Sequence, residues 1–340
     1  MLSRARASLF GCGLLLLAAA CGGSSGSDPA RSVTLANLNF LHGIFCPPET
    51  ESCRLPDRLQ LLEEWIVGAG CPDVVALQEL WRPSLDWLVE RADEMCPFPY
   101  EIVQGPDPLG VDDETILSRY PVSEVRKLPL FGVFPRNVLL TRIAHPAGPI
   151  DVFSTHLASG SDGAREPCGP LCPAECVAAG AETRRECQAV QMAEWIEEVH
   201  DIANPALITG DFNAVPGSFE IEQFVSRGWI DAYIEAGNPE CDPATGIGCT
   251  SGRSDDDLSD MESPELNVNR RIDFVFVVPA TDGASCAGGI EPAGDPDGDG
   301  TGTGLFAGEP NPFAESCGPE PEPMCWPSDH SGVQIDLICS

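Results

Sequence analysis

Apolar positions along the chain fall in short, well-separated runs whose spacing changes character from one to the next. Residues 33–39 and 74–77 are compact apolar runs of strand length. Between them Leu55, Leu59, Leu62 and Ile66 recur at steps of four, three and four, the repeat of a helix with one buried face. The chain therefore opens as strand, helix, strand. A second helix is expected over 86–95, and further strands over 114–117, 138–143, 150–154 and 207–209. The longest helical pattern covers 181–202, with Ala189, Ala193, Ile196 and Val199 along one stripe, and 272–278 and 333–338 supply two late strands. Strands and helices interleave without a break in composition, which predicts one α/β domain over residues 33–340.

Two kinds of segment interrupt this alternation. Residues 159–180 form a Cys-, Gly- and Pro-rich insertion, while 238–269 and 280–327 are acidic and Gly/Pro-rich, too polar to build a core. All three are expected as surface excursions stapled by cysteines. Inside the last, Asp295, Asp297, Asp299 and Gly300 follow the D-x-D-x-D-G start of a calcium loop, but Phe306 stands where that loop needs its final glutamate. A structural Ca²⁺ at Asp295, Asp297 and Asp299 and a plain solvated acidic turn both remain open.

The N-terminal residues 1–20 carry Arg4 and Arg6, no acid, and an apolar run over 14–20 that ends in small residues. That order predicts an export signal. Cys21, after three alanines and before a Gly/Ser-rich stretch, resembles the lipidated cysteine of a bacterial lipoprotein, with 21–32 as a flexible tether. Ordinary signal cleavage and secretion is the alternative. No later stretch reaches the 18 or so apolar residues of a membrane-spanning helix, so the expected location is the cell envelope, held by the Cys21 anchor alone, or the exterior.

An exported chain gives cysteines an oxidising surrounding. Sixteen cysteines less Cys12 in the signal and Cys21 leave fourteen, enough for seven disulfides. Short separations favour local staples such as Cys46 with Cys53, Cys71 with Cys96 and Cys241 with Cys249, although spacing does not fix connectivity. Cys168, Cys172, Cys176 and Cys187 lie close enough for a zinc site, but they lack paired C-x-x-C spacing, and the compartment favours disulfides.

Charge narrows the partners. Nineteen Lys plus Arg against 53 Asp plus Glu give a formal charge of −34. That excludes a broad basic face for nucleic acid or anionic membrane. A phosphate substrate therefore needs a metal, or a local cluster drawn from Arg119, Arg136, Arg142 and Arg271.

Polar residues stand at the ends of the expected strands: Asn39, Glu79, His156, Asp211 with Asn213, Asp273, and Asp329 with His330. Singly each suits a turn. Together they hold the parts of a hard oxygen-ligand site, with Glu79, Asn39 and Asp329 able to bind Mg²⁺ or Ca²⁺ and two histidines able to handle protons. Asp211 and Asn213 on one sharp turn point a carboxylate and an amide at the same place.

These residues sit in segments that resemble the endonuclease/exonuclease/phosphatase superfamily. The segments are Asn39-Phe40-Leu41-His42-Gly43, Ala76-Leu77-Gln78-Glu79, Ile116-Leu117-Ser118-Arg119-Tyr120-Pro121, Ser154-Thr155-His156-Leu157, Gly210-Asp211-Phe212-Asn213-Ala214, Arg271-Ile272-Asp273-Phe274 and Ser328-Asp329-His330. They occur in the family's order. The resemblance implies a four-layer α/β sandwich, two central β-sheets flanked by helices, here with Cys-rich loop insertions. It implies Glu79 as principal metal ligand beside Asn39 and Asp329, with Mg²⁺, Mn²⁺ or Ca²⁺ as the ion. It further implies His330 oriented by Asp273 as base or phosphate ligand, His156 as the second histidine, and Asp211 with Asn213 positioning water, metal or phosphate. One departure is the run Val111-Asp112-Asp113-Glu114-Thr115, where many relatives have a Gly-Asn-Ala-like sequence; one of its acids is a candidate to orient His156.

The function so implied is that of an exported, monomeric, metal-dependent hydrolase of phosphate esters, a phosphodiesterase or nuclease. A sphingomyelinase-like lipid head-group phosphodiesterase, and a catalytically inactive binding protein on the same scaffold, are the alternatives. The insertion after His156 is either a lid or a decoration of the rim.

Overall fold

The computed structural model describes residues 32–41, 53–104, 114–160, 163–254, 258–279, 289–294, 302–310 and 324–339. The proposed signal and tether up to residue 31, Cys46, Asp112, Asp113 and the Asp295, Asp297, Asp299 motif lie outside the described residues.

Among the described residues thirteen strands form two sheets. The first contains β1 (Ser32–Asn39), β2 (Val74–Gln78), β3 (Glu101–Gln104), β4 (Thr115–Ser118), β11 (Gly289–Ile290), β12 (Gly304–Phe306) and β13 (Gly332–Ile338). Its order is β11-β13-β1-β2-β4-β3, with β12 paired to β13. The second contains β5 (Val122–Pro129), β6 (Asn137–His145), β7 (Gly148–His156), β8 (Ala206–Asp211), β9 (Ile230–Asp231) and β10 (Asp273–Val278), in the order β5-β6-β7-β8-β10-β9.

Strand alternation makes the layers. Val33, Leu35, Val74 and Ala76 of the first sheet meet Leu139, Val152, Leu207 and Val275 of the second in one apolar layer. The opposite faces carry Ala36, Leu38, Val75 and Leu77 outward to α1 (Leu55–Gly68) and α2 (Arg82–Arg91). Val138, Phe153, Ile208 and Phe274 pack outward to α4 (Arg184–Val199) and α5 (Phe219–Val225). Both sheets are covered on both faces, so their central strands read as continuous apolar runs. This is the four-layer sandwich expected from the sequence.

Most elements lie where the pattern placed them, and the differences have local causes. Helix α2 begins at Arg82, four residues before its expected start, because Pro83 occupies the first turn, where its missing N–H costs nothing. Helix α4 is shorter than 181–202, opened by a capping box between Thr183 and Glu186. The edge strand β5, Ser-, Glu-, Arg- and Lys-rich and half exposed, was not expected, nor were β3, α5 or the short helices α3 (Ala174–Ala179) and α6 (Ala232–Glu235).

The polar segments need a correction. Although rich in acids and glycines, 238–269 and 280–327 are not merely surface excursions. Leu258, Met261, Phe306, Ala307, Met324 and Trp326 are buried in the same core as α1. Few apolar residues among many polar ones suffice, since backbone bonds such as Thr250 N–H and Ser251 N–H to Arg270 C=O satisfy the intervening peptide groups.

Cys71–Cys96 and Cys241–Cys249 are disulfides as expected. Cys168–Cys172 and Cys176–Cys187 are also disulfides, so the zinc alternative falls away: those sulfurs are bonded to one another. Cys53 is disulfide-bonded too. The insertion these bridges staple packs through Cys168 and Cys176 onto Cys187 and Val190 of α4 and onto Phe131.

Candidate active site

Strand register assembles the site. His156 at the end of β7 lies opposite Asp211 at the end of the parallel β8, and Asp211 lies opposite Asp273 at the start of β10. A histidine and two carboxylates thus form one row across three strands. In the other sheet Asn39 pairs with Gln78, which places Glu79 one residue beyond the ladder. Glu79 and Asn213 both turn through positive φ, 58° and 50°, an uncommon backbone state for such residues. Outliers of this kind at strand ends cluster where side chains must be re-aimed.

Two glycines permit the close approach. A Cβ on Gly210 would lie 1.9 Å from the Thr155 carbonyl oxygen, and one on Gly332 would lie 1.5 Å from that of Asn37. The first contact holds β7 against β8 next to His156 and Asp211. The second seats β13, and with it the turn carrying Asp329 and His330, against β1.

The side chains form one connected set. Asn39 Nδ2 donates to Glu79 Oε1 at 3.0 Å and to Asp211 Oδ2 at 3.1 Å, while its Oδ1 accepts from Leu41 N–H at 3.0 Å. Asn213 donates from its backbone N–H to Asp211 Oδ1 at 2.7 Å. His156 Nε2 is 3.7 Å from Glu79 Oε1 and 3.5 Å from Asp211 Oδ2. His330 Nδ1 is 2.9 Å from Asp273 Oδ2, and its Nε2 is 3.9 Å from Asp211 Oδ2 and 3.8 Å from Asp329 Oδ2. All eight residues singled out from the sequence therefore meet in one place. Ligand atoms of Asp211, Asp273 and His330 all lie within 4.8 Å of one another; this group adjoins Glu79, Asn39 and Asp329 through Asn39 and His330.

Neighbours beyond the eight residues hold these groups. Thr250 Oγ1 accepts from the backbone N–H groups of Ile272 and Asp273 at 3.1 and 3.2 Å. The Ser328 hydroxyl donates to the Asn39 carbonyl at 2.5 Å and accepts from His330 N–H at 3.1 Å. Buried Arg58 donates to the carbonyls of Phe40, Leu41 and Pro327. Arg253 lies 3.6 Å from the Trp326 ring centroid and donates to Ser331 Oγ at 3.2 Å. Burial lowers Arg58 to about 10 and Arg253 to about 9, with Asp329 opposing the shift in both. Arg58 had a signal in the sequence, a charge on the same helical stripe as Leu55, Leu59 and Leu62. Arg253 had none.

Of the four candidate arginines, Arg136 reaches the centre: Nη1 is 2.6 Å from His156 Nδ1. Arg119 pairs with Asp73, Arg142 with Asp151 and Glu124, and Arg271 with Asp231 and Glu240. Among the described residues these four arginines do not gather into one basic cluster.

Burial raises the Asp273 carboxyl, partly opposed by His330, with Asp211 adding to the rise. Burial alone would lower His330, but Asp273, Asp329 and Asp211 outweigh it and hold the imidazole well above its ordinary value. Both shifts keep a proton on the pair. Glu79 is raised by burial and by Asp329, against the Asn39 hydrogen bond and the charge of Arg136, although a quarter of its side-chain surface stays open. Four carboxylates thus converge around two histidines. Their hard oxygens suit a divalent cation such as Mg²⁺ or Ca²⁺, which would relieve their mutual repulsion.

The arrangement has counterparts among known proteins. In structure the chain is similar to an endonuclease/exonuclease/phosphatase family protein from Bacteroides thetaiotaomicron, with 18% identity, a TM-score of 0.62 and coverage of 91% of this chain and 98% of that one. It is also similar to D. rerio TDP2 complexed with a single-strand DNA product, with 17% identity, a TM-score of 0.57 and coverage of 91% and 99%. A humanized D. rerio TDP2 gives 16% identity, a TM-score of 0.58 and coverage of 90% and 98%. At such identities these likenesses establish the fold. No curated protein matches the chain at a significant level. The endonuclease/exonuclease/phosphatase family model matches residues 35–330, from β1 to the histidine of the last turn. With that span, and with two sheets that bring these eight polar residues to a single place, the chain belongs to the endonuclease/exonuclease/phosphatase family.

Proposed function

We propose that this protein is a metal-dependent phosphoesterase that hydrolyses phosphodiester bonds, with nucleic acid the favoured substrate class. The observation that carries this reading is the His330–Asp273 pair beside Asp211 and Asn213, facing Glu79 across the seam of the two sheets.

Glu79, Asn39 and Asp329 would hold the cation, with Asn39 donating from Nδ2 to Glu79 in the described arrangement. Such an ion polarises a phosphoryl oxygen and neutralises charge that grows in the transition state. The chain's own groups do the rest. Asp211, fixed by Asn213, orients the attacking water. His330, held by Asp273, carries the proton that passes to or from the reacting oxygens. Arg136 and His156 close the other side of the phosphate site.

The N-terminal pattern supports export, with Cys21 as lipid anchor. Cys21→Ser is then expected to release the protein from membranes, and unchanged membrane association would overturn the anchor.

A lipid head-group diester is the second reading, favoured by one observation. Val133 and Phe134, at the turn joining β5 to β6, are 76% and 41% exposed, and the Phe134 ring centroid lies 5.8 Å from the Arg136 guanidinium.

Mass spectrometry of products from DNA, RNA, sphingomyelin vesicles and inositol phosphates, in Mg²⁺ and in Ca²⁺, tests the proposal. Oligonucleotides lost in His330→Ala and Glu79→Gln support a nuclease, and phosphocholine lost in the same variants supports the lipid diesterase. Full activity in Glu79→Gln would remove the metal site, and no metal-dependent product at all would favour a binding protein.

A further inference from the structure

Two histidines face the same carboxylate, yet their far sides meet opposite partners. His330 Nδ1 lies 2.9 Å from Asp273 Oδ2, and His156 Nδ1 lies 2.6 Å from Arg136 Nη1. A carboxylate accepts, so His330 carries a proton on Nδ1 and turns Nε2 to the site as an acceptor or as the second N–H of a cation. A guanidinium has donors and no acceptor. His156 Nδ1 must therefore present its lone pair, and the ring's proton resides on Nε2, which points at Glu79 and Asp211.

We propose that Arg136 is a positioning residue that fixes His156 as the neutral Nε2–H tautomer, so that His156 serves as a hydrogen-bond donor to a phosphoryl oxygen and not as a carrier of protons. Gaining a proton at Nδ1 would set a cationic ring against the guanidinium. Losing the Nε2 proton would leave an imidazolate. Both departures are costly, whereas a fixed neutral N–H aimed at developing charge stabilises it without reorganisation. Proton traffic then belongs to His330 and Asp273.

The backbone makes the contact. Arg136 donates from its N–H to the Phe134 carbonyl at 2.9 Å and accepts from Leu130 N–H at 2.8 Å, which pins the turn before β6. Val138 pairs with Thr155 in the β6–β7 ladder, so Arg136 stands beside the end of β7 where His156 lies. Arg136 is itself buried.

The donor role rests on the phosphoesterase reading, whereas the tautomer does not. Long-range proton–nitrogen spectra of the full chain labelled in its histidine rings report the tautomer directly, with His156 assigned by its loss in His156→Gln. The expected wild-type spectrum shows a bare Nδ1 and a protonated Nε2, retained in Arg136→Lys and replaced by a tautomer mixture in Arg136→Met. A protonated Nδ1 in the wild type overturns the proposal whether or not the variants fold. So does an unchanged spectrum in a folded Arg136→Met.

The donor role is read from leaving groups. His156→Gln is expected to lose a similar factor on nitrophenyl and alkyl phosphodiesters, within about threefold, because no proton passes from it to the leaving oxygen. A loss at least about tenfold larger for the alkyl ester would show that His156 carries that proton, against the proposal. Turnover of neither ester removes the phosphoesterase reading and the donor role with it, and leaves the tautomer judged by the spectra.

Discussion

Asn39 and Asp211 are 172 residues apart and belong to different sheets, yet the Asn39 amide donates to Asp211 Oδ2 at 3.1 Å. The same amide donates to Glu79 at 3.0 Å. One neutral side chain therefore separates two acids at the seam of the sandwich, and the site and the packing of the sheets depend on each other.

Asn39→Asp puts a third carboxylate against those two. Like charges in a poorly hydrated cleft are unfavourable, so a lower melting temperature in chelator is expected. A divalent cation stabilises by binding the folded state, and the rise on adding Mg²⁺ is expected to exceed that of the wild type. Thermal scans with and without Mg²⁺ check this; an equal rise in the two proteins would argue against a cation at this position.

Gly210→Ala is expected to be among the most damaging small substitutions in the chain. Its φ of +143° suits glycine, and the new Cβ would stand 1.9 Å from the Thr155 carbonyl oxygen. Backbone strain and overpacking each cost about 1–3 kcal/mol. The shifted β7–β8 ladder would also part His156 from Asp211, so urea midpoint and turnover should fall together.

Asp151 links stability to acid. It accepts from Arg142 at 2.6 and 3.0 Å and meets His200 Nδ1 at 3.0 Å. Burial disfavours its charge, but the hydrogen bonds of His200 and Arg142 outweigh that and hold the carboxyl below its ordinary range. A depressed carboxylate contributes stability in full above the unfolded value, about 3.9, and loses it as pH falls through the folded value. Urea midpoints should therefore drop below about pH 4, and Asp151→Asn, weaker at neutral pH, should show a flatter acid limb.

The Cys71–Cys96 bridge closes a loop of 25 residues that contains β2 and α2. By chain entropy its removal costs about 3.5 kcal/mol, against about 2 kcal/mol for the four-residue Cys168–Cys172 loop. Denaturation of the two serine double variants measures both, and a larger loss for the short loop would refute the entropic account.

Local pattern was enough for much of this protein. The apolar runs of β1, β2, β8, β10 and β13 are continuous because both faces of each sheet are covered, and the stripes of α1 and α4 repeat at helical spacing because one face is covered. The eight polar residues of the site stood out because each interrupts such a run at its end. Elements with little apolar contrast were not legible. Strand β5 is a half-exposed edge, and the Leu258 to Trp326 region buries a few apolar residues inside acidic sequence.

The sequence by itself thus determined the layers, the strand ends and the list of groups that carry chemistry, since periodicity and chain order are local properties. Which nitrogen of each histidine faces the cleft was decided only by tertiary structure. Arg136 reaches His156 through the register of β6 on β7, and Asp273 reaches His330 across 57 residues. Those pairings are set by how strands align and how two sheets pack, and hydrogen-bond polarity at a histidine exists only once its partner has been brought there.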